Sequence, residues 1–175
     1  MNKKAGFVAY TKPAFCLTEF NMTKNSHHKI SAKQAAIGYL SRRDHAEVEL
    51  RIKLQGKHYA QDEIDSVITD CLERGWLNDH RYASLIVRNS IGKGLGELRL
   101  QAELRNKGVS EAIINQVFDE CDVDWFEHAK DVALRKFGIS DADTLKEKAK
   151  RYRFMEYRGF DSDQISYALN ISDDE

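Results

Sequence analysis

One turn is written three times along this chain at a near-constant interval. Lys57-His58-Tyr59, Lys107-Gly108-Val109 and Arg158-Gly159-Phe160 each link a helix with a basic C-terminus to a capped helix, and their middle residues lie 50 and 51 positions apart. Four positions before the middle residue stand Leu54, Leu104 and Met155. Six positions after it stand Ile64, Ile114 and Ile165, and four further on Ile68, Phe118 and Leu169. Apolar and turn positions do not recur at one period by chance, and a period of this length marks a chain made of stacked copies of one small unit. Each copy reads as three helices in about 50 residues. The fold class expected is all-α: three tandem three-helix repeats.

Helix punctuation fills in the units. Ser31 with Gln34, Asp44 with Glu47, Asp124 with Glu127 and Asp161 with Gln164 have the spacing of capping boxes. Asn78 and Ser110 can cap two more helices, and the eighth runs from about Asp143 to Arg158. Gly75, Gly92, Gly108 and Gly138 stand where helices should stop. Apolar stripes at helical spacing follow the caps, among them Ala46, Leu50 and Leu54, then Ile64, Val67, Ile68 and Cys71. No segment alternates as a strand does, and Pro13 is the one proline. His58 replaces Gly in the first turn. Histidine tolerates the left-handed conformation better than most residues, so it reads as a cap and not as a ligand. The expected layout is a flexible leader over 1–30, repeats over 31–75 and 76–121, and a third repeat with a short acidic tail over 122–175.

Catalytic and metal-binding chemistry finds no footing. Six histidines are present, and apart from His27-His28 in the leader none stands at metal-ligand spacing. Gly92-Lys93-Gly94-Leu95-Gly96 lacks the spacing of a phosphate-binding loop and follows a helix, so it reads as a connection. Cys16, Cys71 and Cys121 are odd in number with no CxxC pair, which suits reduced thiols in a cytoplasmic protein. No apolar run reaches the roughly 18 to 20 residues that a membrane span requires. No enzyme, cofactor, metal or membrane partner is expected.

What remains is cationic side chains carried on helices. The net charge is -1, yet six basic residues against two acidic ones lie between Lys146 and Arg158. The candidates to face a partner or DNA are Arg42, Arg43, Lys53 and Lys57 in the first unit, and Arg81, Arg88, Lys93, Arg99 and Lys107 in the second. The third contributes Lys150, Arg151, Arg153 and Arg158, with Tyr152, Phe154 and Tyr157 interleaved. Arginine beside aromatic rings suits protein and nucleic-acid surfaces.

The segments GWLNDHRYA (Gly75 to Ala83), RRDHAEVELRIKL (Arg42 to Leu54), ELRNKGVS (Glu103 to Ser110) and YRGFDSDQI (Tyr157 to Ile165) resemble, in order, those of the RecX family. The likeness runs from about Ala35 to Leu169 and rests on Gly75, Trp76, Leu77, Asp79, Arg81, Tyr82, Gly108 and Gly159. CDVDWFEHA (Cys121 to Ala129) and RKFG (Arg135 to Gly138) resemble its proteobacterial branch. His58 departs from the glycine frequent in the family, and the leader has no counterpart there. The resemblance implies an elongated, curved array that binds in the groove of the RecA–DNA filament and modulates RecA, mostly by inhibition. The partners it implies are the RecA filament and single-stranded DNA within or beside it, met by a monomer. A helix-turn-helix type module acting directly on DNA is the alternative.

Overall fold

A computed structural model describes residues 30–138 and 144–170. Among them are nine α-helices and no strand: α1 (Ala32–Leu40), α2 (Glu47–Gln55), α3 (Gln61–Glu73), α4 (Asp79–Gly92), α5 (Glu97–Asn106), α6 (Glu111–Asp119), α7 (Trp125–Phe137), α8 (Leu145–Arg158) and α9 (Ser162–Leu169). The expected leader up to residue 29, with Cys16 and the His27-His28 pair, lies outside the described residues, as do residue 143 and the acidic tail from 171.

Three apolar cores form, one for each set of three helices. Leu54, Leu104 and Met155 occupy equivalent places and are all 0% exposed. Fully burying a side chain of this size stabilises by about 1.5–3 kcal/mol. Cys71 is buried in the first core and Cys121 packs against the second; burial pushes both thiols above their ordinary range.

Most of the expected caps form. Ser31–Gln34 and Asp161–Gln164 close as full capping boxes, and Asn78 and Ser110 each accept from a first-turn N–H. Two differ. Asp124 caps α7 through the Phe126 and Glu127 N–H groups, but the Glu127 carboxylate turns to the Tyr167 hydroxyl on α9. Asp44 caps nothing. Buried His45 and Ala46 hold the chain extended past it, and α2 starts only at Glu47 from an N-cap, Ala46, that has no side-chain acceptor. Asp79 of α4 supplies that acceptor, 2.8 Å from the Glu47 N–H.

The units are hooked together, not merely strung out. Ala46 packs in the second core and Leu77 in the first. The repeated turn does the same work twice. At Gly108, φ is +79°, and a Cβ would stand 2.5 Å from Cγ2 of Val48 on α2. At Gly159, φ is +90°, and a Cβ would stand 2.6 Å from the Arg99 backbone nitrogen on α5. Each turn thus seats on the second helix of the unit before it. At the later junction the Arg158 and Gly159 carbonyls accept from the Gly96 and Leu98 N–H groups, at 2.8 and 3.1 Å, and so cap α5. His58 keeps the left-handed backbone (φ +59°) in the first unit. The close approach, more than the conformation, is what demands glycine at 108 and 159.

Candidate functional site

The cations expected on the surface fall into three groups. The first is neutralised within its own unit. Arg43 forks onto Glu49 at 2.5 and 3.1 Å. Burial would raise the Glu49 carboxyl, but its bonds to Arg43, with the nearby charges of Arg43 and Lys53, hold it below the usual range. Lys53 lies 3.5 Å from Glu49 and over the Tyr39 ring, and its Nζ is 3.1 Å from His45 Nε2. Burial lowers the His45 imidazole, so a neutral ring with Nδ1 donating to the Arg43 carbonyl accepts from Lys53.

The second group is structural. Arg81, expected to face a partner, donates to Asp44 and to the Gly75 and Trp76 carbonyls, and so ties the second unit to the first. Arg99 donates to the Tyr157 carbonyl at 2.8 Å and lies over the Tyr157 ring. Arg158 donates to the Lys93 carbonyl at 2.7 Å. Both tie the third unit to the second. Arg151 also departs from a solvent-facing reading: its side chain is 13% exposed, stacks over Phe137 and lies near Glu147. A guanidinium has five donors and a flat apolar face, which lets it span backbone carbonyls and rings at a joint.

The third group is open. Among the described residues, Arg42, Lys57, Arg88 and Lys107 have no carboxylate partner; Arg153 donates only to the Ala149 carbonyl, and Lys150 meets Glu147 in an exposed pair at 3.4 Å.

The GWLNDHRYA motif is a joint. Gly75 turns the chain (φ +66°), Leu77 enters the first core, Asp79 caps α2, Arg81 spans the seam and Tyr82 enters the second core. Trp76 stays 41% exposed under Arg74, and with Ile37, Leu40 and Arg81 it lines a shallow groove of about 270 Å³.

A second hollow, of about 210 Å³, opens at the joint of the second and third units. Lys93 and Arg158, singled out from the sequence, meet there with Arg135, Lys136, Gly94, Val132 and Phe154. Arg135 and Lys136 were legible only as part of the RKFG run; nothing in the spacing of α7 placed them beside Lys93. Among the described residues no carboxylate lines the hollow. Among the described residues no group of His, Cys, Asp and Glu is arranged to hold a metal ion, and no helix is long and apolar enough to cross a membrane.

Comparison with known proteins gives this architecture a family. Models of the first, second and third three-helix domains of RecX match residues 32–71, 78–117 and 122–169. The regulatory protein RecX of Vibrio vulnificus is 48% identical over 149 residues, covering 82% of this chain and 97% of the relative. That of Haemophilus influenzae is 36% identical over 132 residues, covering 74% and 87%. The crystal structure of RecX from Lactobacillus salivarius shares the fold, with a TM-score of 0.67 at 21% identity over 79% of this chain and 92% of that one. With all three domains matched in order, the chain belongs to the RecX family of regulatory proteins, in its proteobacterial branch.

Proposed function

We propose that this regulatory protein binds the RecA–DNA filament and modulates RecA, mostly by inhibiting its recombinase, ATPase and co-protease activities. On this reading it is a cytoplasmic, non-enzymatic monomer serving DNA repair, recombination and the SOS response. Repeats over 31–75, 76–121 and 122–175 act as one binding array, and its partners are RecA and the single-stranded DNA of the filament. The observation that supports it best is the distribution of open cations. Arg42 and Lys57, Arg88 and Lys107, and Arg153 belong to three different units, and no carboxylate neutralises them among the described residues. Units joined in series offer a long surface, and cations spaced along it suit a long polyanionic partner better than a compact one.

The hollow lined by four cations favours a second reading, a helix-turn-helix type module that acts directly on DNA. The two are separated by measuring binding to single-stranded DNA with and without RecA and ATP, together with RecA ATPase, across a range of salt. The filament reading expects the tighter binding with RecA and ATP present, and falling ATPase as the protein is added. Equal affinity for bare and RecA-coated DNA, with ATPase unaffected, supports the direct DNA module instead.

A further inference from the structure

We infer that the hollow between the second and third units is a binding pocket for a backbone phosphate of a nucleic-acid strand, which bridges Lys93 of one unit to Arg135, Lys136 and Arg158 of the other. The inference deepens the functional reading above by naming where the nucleic-acid component is held.

Four cations meet around about 210 Å³ with no carboxylate among the described lining residues. Like charges gathered this way repel one another, and a bound anion relieves that repulsion. The lining is built for the purpose. Two of the cations lie over the Phe154 ring, Lys136 Nζ 5.5 Å and the Arg158 guanidinium 5.0 Å from its centre, which restricts both. Phe137 packs edge-on against Phe154 at 5.3 Å and supports the ring from behind. Arg158 is held further by the Lys93 and Gly94 carbonyls, at 2.7 and 3.4 Å. Gly94 (φ +75°) lets the α4–α5 connection approach α7, where a Cβ would stand 3.1 Å from Val132. Arg135 donates one N–H to the Asp131 carbonyl, and among the described residues Lys93 Nζ meets no acceptor, so both keep donors for a ligand. The hollow is large enough to take a phosphate group. Two of the cations lie over the Phe154 ring and compete with a base for it. A phosphodiester within a strand fits this chemistry best.

The test uses the full-length chain and a fluorescently labelled single-stranded oligothymidine of about 20 nucleotides, long enough for one site of a single-strand binder. Anisotropy titrations across salt compare the parent with Arg135→Gln/Lys136→Gln and with Lys33→Gln/Arg74→Gln. The second variant removes the same charge from the first unit, where both cations pair with Asp70. The pocket variant should bind about three- to tenfold more weakly, and its slope of log affinity against log salt should fall by about 0.7, the value for one single-strand phosphate. The first-unit variant should keep the parent slope. Lys93→Gln, from the other unit, should weaken binding and lower the slope by up to about 0.7, and serves if the double variant unfolds in circular dichroism. Parent-like affinity and slope in the pocket variant, or in Lys93→Gln, overturn the proposal. So does displacement of the strand by ATP at equal phosphate concentration, which would make a free nucleotide the ligand. No RecA is present in these titrations, so failure here leaves the filament reading standing; a parent protein that does not bind RecA-coated DNA would defeat that reading and not the pocket.

Discussion

The carboxylate of Asp79 accepts the backbone N–H of Glu47 at 2.8 Å, so the first helix of the second unit caps the second helix of the first. The helix it serves has no acceptor of its own at Ala46. Neighbouring Arg81, through Asp44, fastens the same seam. A family motif thus works as a hinge-pin, and the seam between units depends on a hydrogen bond to a half-buried charge.

Removing that cap should be measurable. Asp79→Ala should cost about 0.5–2 kcal/mol in denaturant unfolding, whereas Asp79→Asn, which keeps an acceptor, should cost little. Parent-like stability of the alanine variant would show that the seam does not need the cap.

The same residue has a pH signature. Burial raises the Asp79 carboxyl above its ordinary value, against the bond from Glu47. The unfolded chain therefore loses this proton first as pH rises, and the folded state binds more protons in between. The group's contribution is greatest below the ordinary carboxylate value and declines as pH rises through the folded one. Relative to the parent, Asp79→Asn should gain stability between about pH 3 and pH 7, and a flat difference would contradict the burial argument.

Alanine at the turn glycines should rank by what the Cβ meets. At Gly75 nothing lies within 4 Å and only positive φ opposes the change, so the cost should be about 1 kcal/mol. Gly108→Ala adds a clash with the Val48 side chain, and Gly159→Ala one with the Arg99 backbone, so each should cost about 1–3 kcal/mol more. Val48→Ala should recover part of the Gly108→Ala loss, read as a coupling of at least about 0.5 kcal/mol in a double-mutant cycle. Nothing comparable should rescue Gly159→Ala, because backbone cannot be trimmed.

Leu104→Ala and Met155→Ala each empty the same place in a different unit and should each cost about 2–5 kcal/mol in thermal or denaturant unfolding. A loss under about 1 kcal/mol at either site would mean that the two positions are not equivalent core.

Charge reversal should sort the arginines. Arg88→Glu and Arg153→Glu should weaken binding to RecA-coated DNA, roughly additively, with the thermal midpoint unchanged, because neither side chain meets a carboxylate among the described residues. Arg151→Glu and Arg81→Glu should lower the midpoint, since they break the Phe137 stack and the Asp44 seam. Full filament binding by the Arg88/Arg153 double variant would remove open cations from the docking surface.

The amino-acid sequence alone determined what is local or periodic. Ser31–Gln34, Asn78, Ser110 and Asp161–Gln164 could be read because a cap joins residues three apart. Leu54, Leu104 and Met155 could be read because an internal repeat puts equal burial at equal offsets. The destinations of the charges could not be read. Asp44 has the spacing of a cap yet serves Arg81, 37 residues on, while Asp79 caps a helix 32 residues back. Arg99 and Arg158, which looked like surface cations, reach carbonyls 58 and 65 positions away. Lys93 met Arg135 and Lys136 only through the packing of α7 and α8 against the α4–α5 connection. Backbone spacing dictates bonds within a helical turn, but a long charged side chain goes to whichever acceptor the stacking of the units brings within its reach, and that stacking is decided by the cores and the close-fitting turns at the seams.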